Sequence, residues 1–227
     1  MDAAFVLKKP HSGDSILGFC DAPPFILFDV LLKTVRDLIV TDMISKENFD
    51  QLRLELSVKS RNGIDFTMSA SIVWLLITFI WTLEIKPYDQ SVLTFIVGGL
   101  VLPLALLFSK LLKTTWTNKE NPLQPLGLWL NFAQLFYFPF LIFALIKMPE
   151  YFVMVYAIIT GAHFFPYSWF YKTNWYAIFA WIISVGALGL GLKLSSGEMF
   201  FIPAFMSLSL VVLTVLLHFD SKAKKRG

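Results

Sequence analysis

Residues 90–112 read QSVLTFIVGGLVLPLALLFSKLL, and their only charge is Lys110, at the very end of the run. A run of about 20 apolar residues spans a hydrocarbon core of about 30 Å when wound as an α-helix, whereas a core helix of a soluble domain is shorter and apolar along one stripe only. Comparable runs fill 66–83, 124–146, 150–171, 174–194 and 198–219. The expected fold is therefore all-α: a polytopic membrane bundle of about six transmembrane helices. The chain is 56% hydrophobic and only 15% charged, with mean hydropathy +0.66, and that excess of apolar surface is what lipid contact requires.

Charge divides the chain into three parts. Residues 1–65 hold 18 of its 35 charged residues and form a polar N-terminal segment. Residues 66–219 form the membrane domain, and 220–227 a basic tail with Lys222, Lys224, Lys225 and Arg226, suited to anionic headgroups. Within the N-terminal segment, Asp29, Lys33 and Asp37 fall at (i, i+4) spacing, and Leu27, Leu31, Val35 and Leu38 share a face. This pattern predicts an amphipathic helix over 25–40. A second helix over 46–61 opens at Ser45 and closes at Asn62-Gly63. The opening residues show no signal peptide, and Met43 stands as an alternative start.

Eleven basic residues flank span ends on one side (Arg53, Lys59, Arg61, Lys110, Lys113, Lys119, Lys172 and the tail) against Lys86, Lys147 and Lys193 on the other. The positive-inside rule puts both termini in the cytoplasm. Asp65, Asp89 and Asn174 precede spans as expected N-caps. Pro103, Pro139, Pro166 and Pro203 lie within spans, where each removes a backbone donor and kinks its helix.

The fourth span carries Tyr156, Thr160, His163 and Tyr167 at spacings that keep them within about 60° of one helix face. The third carries Gly127, Asn131, Gln134 and Phe138 at the same spacing, with Tyr137 on the flank. The short Lys147–Glu150 connection makes the two spans antiparallel neighbours. Asn131 then pairs in depth with His163, Gln134 with Thr160, Gly127 with Tyr167 and Phe138 with Tyr156. Polar groups in hydrocarbon need partners. Asn131, Gln134, Tyr137, Tyr156, Thr160, His163 and Tyr167 are thus the candidate ligand-binding residues, for a small-molecule solute in a transporter-like or sensor-like protein. Three other readings stay open, the least favoured being an intramembrane enzyme that no motif names. The polar residues act as structural glue between helices, leaving a structural or assembly protein that binds another membrane protein or a second copy; or His163 senses protons.

Other chemistries find no support. The net charge of +3 gives no nucleic-acid partner. One cysteine, Cys20, and three scattered histidines, His11, His163 and His218, offer no metal site, and no cofactor motif or catalytic residue is expected. Carboxylates fall only at span ends, against coupling through a buried acid.

Several stretches carry a family resemblance: Leu52-Arg53-Leu54-Glu55-Leu56-Ser57-Val58 before Asn62-Gly63-Ile64, Leu102-Pro103-Leu104, Asn121-Pro122-Leu123, Ala133 to Pro139, and above all Pro149-Glu150-Tyr151 through Ala157 to His163 and on to Phe165-Pro166-Tyr167. Over about residues 50–195 the chain resembles an uncharacterised family of bacterial multi-pass membrane proteins, a domain of unknown function. The resemblance implies an inner-membrane protein and carries no activity with it.

Overall fold

The structure is a computed structural model and describes residues 24–116 and 120–226. Its compact units are 1–48 and 49–227, each taken by itself below.

Helix α1 runs unbroken from Pro24 to Lys59 and crosses the boundary between the units. Two helices were expected here. The intervening Thr41-Asp42-Met43-Ile44-Ser45 contains neither Pro nor Gly, and residues of middling propensity do not stop a helix. In the first unit Asp29, Lys33, Arg36 and Asp37 are exposed, as is Val35 of the expected apolar face. The side chains of Leu27, Leu31 and Leu38 lie outside the described residues.

In the second unit the chain is helical throughout, with no strand among the described residues. The helices are α2 (Ile64–Trp81), α3 (Pro87–Gly98), α4 (Val101–Leu112), α5 (Gln124–Leu135), α6 (Phe138–Lys147), α7 (Phe152–His163), α8 (Phe165–Phe170), α9 (Trp175–Lys193) and α10 (Phe201–Lys224). Five helical segments among the described residues are long and apolar enough to cross a membrane: Arg61–Trp81, Pro87–Leu112, Gln124–Lys147, Trp175–Lys193 and Ser196–Lys224. The expected fourth span is the one outside this set. It is built as a single turn at Pro149–Tyr151 followed by α7 and α8, broken at Phe164.

The breaks follow the prolines. Each intraspan proline lies one to four residues after a tightened turn, and there i→i−3 bonds replace i→i−4 bonds. They run from the Gly99 and Leu100 amides before Pro103, Phe136 and Tyr137 before Pro139, Phe164 before Pro166, and Ile202 before Pro203. A proline has no N–H for the carbonyl four residues back and its ring crowds that carbonyl, so the preceding turn winds tighter.

Packing separates core helices from outer ones. Of the first span 61% is buried, of the third 11%. Helix α10 packs most extensively on α2, and its Ile202, Met206, Leu210, Leu213 and Leu217, all fully buried at helical spacing, share one core with Val73, Trp74 and Ile77 of α2. Helix α7 packs most extensively on α9, where Gly161 approaches so closely that a Cβ there would come 2.5 Å from Ile183 Cγ2. A smaller core of Leu141, Ala144, Phe152 and Val155 joins α6 to α7 at the loop end of the expected hairpin. At its other end Gly127 meets the ring of Phe170. Helix α5 itself buries none of its residues.

The α10 helix continues through Lys224, so much of the expected tail is helical, with a Lys224–Asp220 ion pair of 2.6 Å one turn apart. Asp65 and Asp89 were expected as caps, and both lie inside the first turns of α2 and α3. Asn174 does occupy the N-cap of α9, without a side-chain capping bond.

Candidate functional site

On α7 and α8 the sequence-derived stripe faces the aromatic interior. Tyr156 is half-buried with its ring 5.2 Å from Trp74, and its hydroxyl fills the notch left by Gly98. Tyr167 is buried, 5.8 Å from the Tyr171 ring and 5.7 Å from that of Tyr176. The half-buried His163 imidazole meets Tyr167 edge-on at 5.2 Å. It makes no hydrogen bond among the described residues. The Thr160 hydroxyl is sealed from solvent and has no hydrogen-bond partner there either. A threonine in a helix usually bonds back to the carbonyl four residues earlier, as Thr78 and Thr214 do here at 2.8 and 2.7 Å. Thr160 departs from that habit.

The α5–α6 arm is arranged differently. Asn131 is exposed and its amide donates to the Gly127 carbonyl of its own helix at 2.9 Å. Gln134 is half-buried with no side-chain hydrogen bond among the described residues, and Tyr137 is exposed. The structure therefore brings together Tyr156, Thr160, His163 and Tyr167 along one face. It joins no polar group of that face to Asn131, Gln134 or Tyr137 by a hydrogen bond among the described residues.

A second polar cluster, which sequence reasoning missed, lies where α1, α10 and the α4–α5 and α8–α9 connections meet. Arg61, Asn62 and Gly63 all take positive φ between α1 and α2. Gly63 accepts this without penalty, and a Cβ there would press to 3.1 Å on the Tyr171 hydroxyl. Asn62 is fully buried. Its amide donates to the Leu217 carbonyl (3.2 Å) and Asp220 Oδ2 (2.8 Å), its Oδ1 accepts from the Ser57 hydroxyl and from Lys224 Nζ, and its backbone carbonyl accepts from Tyr176 Oη at 2.6 Å. Lys224 also donates to Ser57 Oγ (3.0 Å) and the Tyr171 carbonyl (2.9 Å). Buried Asp65 accepts from Thr114 Oγ1 at 2.6 Å, from the Trp116 indole and from the Phe66 amide at 3.0 Å. Asn121 donates to the Leu52 carbonyl (2.9 Å) and Glu55 (2.8 Å).

Arg53 completes the cluster, donating to the Trp169 carbonyl and lying 4.5 Å over the Trp169 ring. Asp50 bridges Arg53 (2.9 Å) and Lys172 (3.3 Å). The Lys172 hydrogen bond is the main reason its carboxyl is held below the ordinary carboxylate range, with the charges of Lys172 and Arg53 adding to it. The signal for this cluster was present in part. Asn-Gly after an amphipathic run marks a left-handed turn, but apart from Ser57 its partners lie more than 100 residues away in sequence.

Among the described residues no cluster of His, Cys, Asp and Glu could hold a metal ion. In comparisons with known proteins, the model described as a family of unknown function, DUF7010, matches residues 49–220. No curated protein and no solved structure matches.

Proposed function

We propose, for a chain that belongs to the DUF7010 family of unknown function, that it is a six-span inner-membrane protein with both termini cytoplasmic, which holds a small polar solute against the α7–α8 face in a transporter-like or sensor-like role. The basic bias at the α1 and α10 end supports the orientation.

The observation that carries the reading is the sealed hydroxyl of Thr160, without a hydrogen-bond partner among the described residues, one helical turn from the imidazole of His163, which makes no hydrogen bond among them either. A buried polar group without a partner costs about 1–3 kcal/mol, and each such group in a native protein calls for an explanation, a bound molecule among them. A solute carrying both a donor and an acceptor satisfies Thr160 and neutral His163 together. Tyr156 and Tyr167 supply aromatic walls, and Gln134, whose side chain has no hydrogen bond among the described residues, supplies an amide from the neighbouring arm. Asn131 and Tyr137 are outlying members of the set, because both are exposed.

The test is thermal unfolding of the detergent-purified chain against uncharged polar solutes such as amides, polyols and nucleobases. At least one class raises the midpoint for the native chain. His163→Ala and Thr160→Val both abolish that shift while keeping the helical circular dichroism. A Thr160→Val protein that is more stable without solute and responds to solute as the native chain does refutes the reading.

The tight seat of Gly161 against Ile183 favours a second reading, in which these residues only lock helices. The protein is then a structural or assembly component whose partner is another membrane protein.

A further inference from the structure

Between α2, α4 and α10 runs a groove of about 360 Å³, lined by Ile64, Met68, Leu112, Thr214, Val215, His218 and Phe219. Its wall is almost wholly apolar, and it lies on three segments each long and apolar enough to cross a membrane. Lipid therefore surrounds it.

Three basic residues adjoin the lining in sequence. Arg61 lies three residues before Ile64, Lys113 directly follows Leu112, and Lys222 lies one turn beyond His218 on the same stripe as Thr214. None of these three cations has an acidic partner among the described residues. The acids of this end are already engaged: Asp65 by Thr114 and Trp116, Asp220 by Lys224 and Asn62, Glu55 by Lys59 and Asn121. Trp116, stacked on Phe66 at 4.6 Å, is the kind of side chain that marks headgroup depth.

We infer that this groove is a binding site for one anionic phospholipid, with an acyl chain along Met68, Val215 and Phe219 and the phosphate among Arg61, Lys113 and Lys222. An acyl chain gains little by leaving the bilayer for an equally apolar groove, since lipid tails are as apolar as the side chains. Headgroup charge therefore sets the selectivity: phosphatidylglycerol is preferred to phosphatidylcholine, with little dependence on chain length.

The experiment is native mass spectrometry of the full chain in detergent, with phosphatidylglycerol and phosphatidylcholine of identical chains supplied at equal concentration. One phosphatidylglycerol is retained in preference. Lys113→Gln and Lys222→Gln each lower the preference about fivefold, the effect of roughly 1 kcal/mol per basic residue at a membrane surface. Val215→Trp, which fills the groove from an exposed position, removes retention of both lipids, and glycerol phosphate does not compete. The inference is overturned by equal retention of the two lipids, by a preference that survives the double lysine variant, by a folded Val215→Trp protein that retains lipid like the native chain, or by competition from glycerol phosphate. Both lysines are exposed and their side chains make no hydrogen bond among the described residues, so the double variant folds even if the tryptophan variant does not.

Discussion

Asn62 is where a single substitution separates backbone strain from lost hydrogen bonds. The residue is fully buried at φ 57°, ψ 20° and ties the α1–α2 turn to α10. In Asn62→Ala the β-carbon remains in a left-handed conformation without the local polar side chain that tolerates it, which costs about 1 kcal/mol. The side-chain bonds to Ser57, Asp220 and the Leu217 carbonyl also go. Asp220 keeps Lys224, and Lys224 keeps Ser57 and the Tyr171 carbonyl, so only part of the network is orphaned. That loss is on the order of 1–2 kcal/mol. The alanine variant should therefore fall by about 2–3 kcal/mol. Asn62→Gly loses the same bonds but relieves the strain, and should fall about 1 kcal/mol less. Equilibrium unfolding in mixed dodecyl maltoside and sodium dodecyl sulfate micelles, followed by circular dichroism, measures both. Equal losses in the two variants would show that the left-handed backbone contributes nothing. A change below about 0.5 kcal/mol in Asn62→Ala would show that the buried network is energetically idle, against the cost expected for buried polar groups.

Gly161→Ala places a methyl 2.5 Å from Ile183 Cγ2 and 2.9 Å from Ser184 Oγ, and should destabilise the α7–α9 contact by about 1–3 kcal/mol, whereas Gly189→Ala meets nothing within 4 Å and should be neutral or stabilising. The same unfolding assay reads both, and equal effects would contradict the packing. Asp65→Asn retains shape but offers a single acceptor oxygen where two carboxylate oxygens now serve Thr114, Trp116 and the Phe66 amide. It should cost about 1–3 kcal/mol and loosen the 113–116 turn. Iodide quenching of Trp116 fluorescence, with the other tryptophans replaced by phenylalanine where they are exposed, should rise; unchanged quenching would reject the staple.

What the sequence determined by itself was everything that depends on hydrophobic run length and local chemistry. Residues 66–83, 90–112, 124–146, 174–194 and 198–219 each exceed what a soluble helix needs, and each overlaps, but for one or two end residues, a segment apolar enough to cross a membrane. Pro103, Pro139, Pro166 and Pro203 were legible as breaks because the missing N–H acts on carbonyls a few residues away. Asn62-Gly63 was legible as a helix end for the same local reason.

Run length is silent about which face of a lipid-compatible helix meets protein, because both faces are apolar. Only the tertiary structure decided that α2 and α10 form the core while α5 stays outside, and that the amide of Asn131 serves its own helix. The stripe on α7 was visible from spacing. That it meets Trp74 and Tyr176, and leaves Thr160 without a partner, depends on helices brought together from distant parts of the chain. The Asn62 network is the extreme case. Its bonds join residues up to 167 apart in sequence, and no local pattern records a partner at that distance.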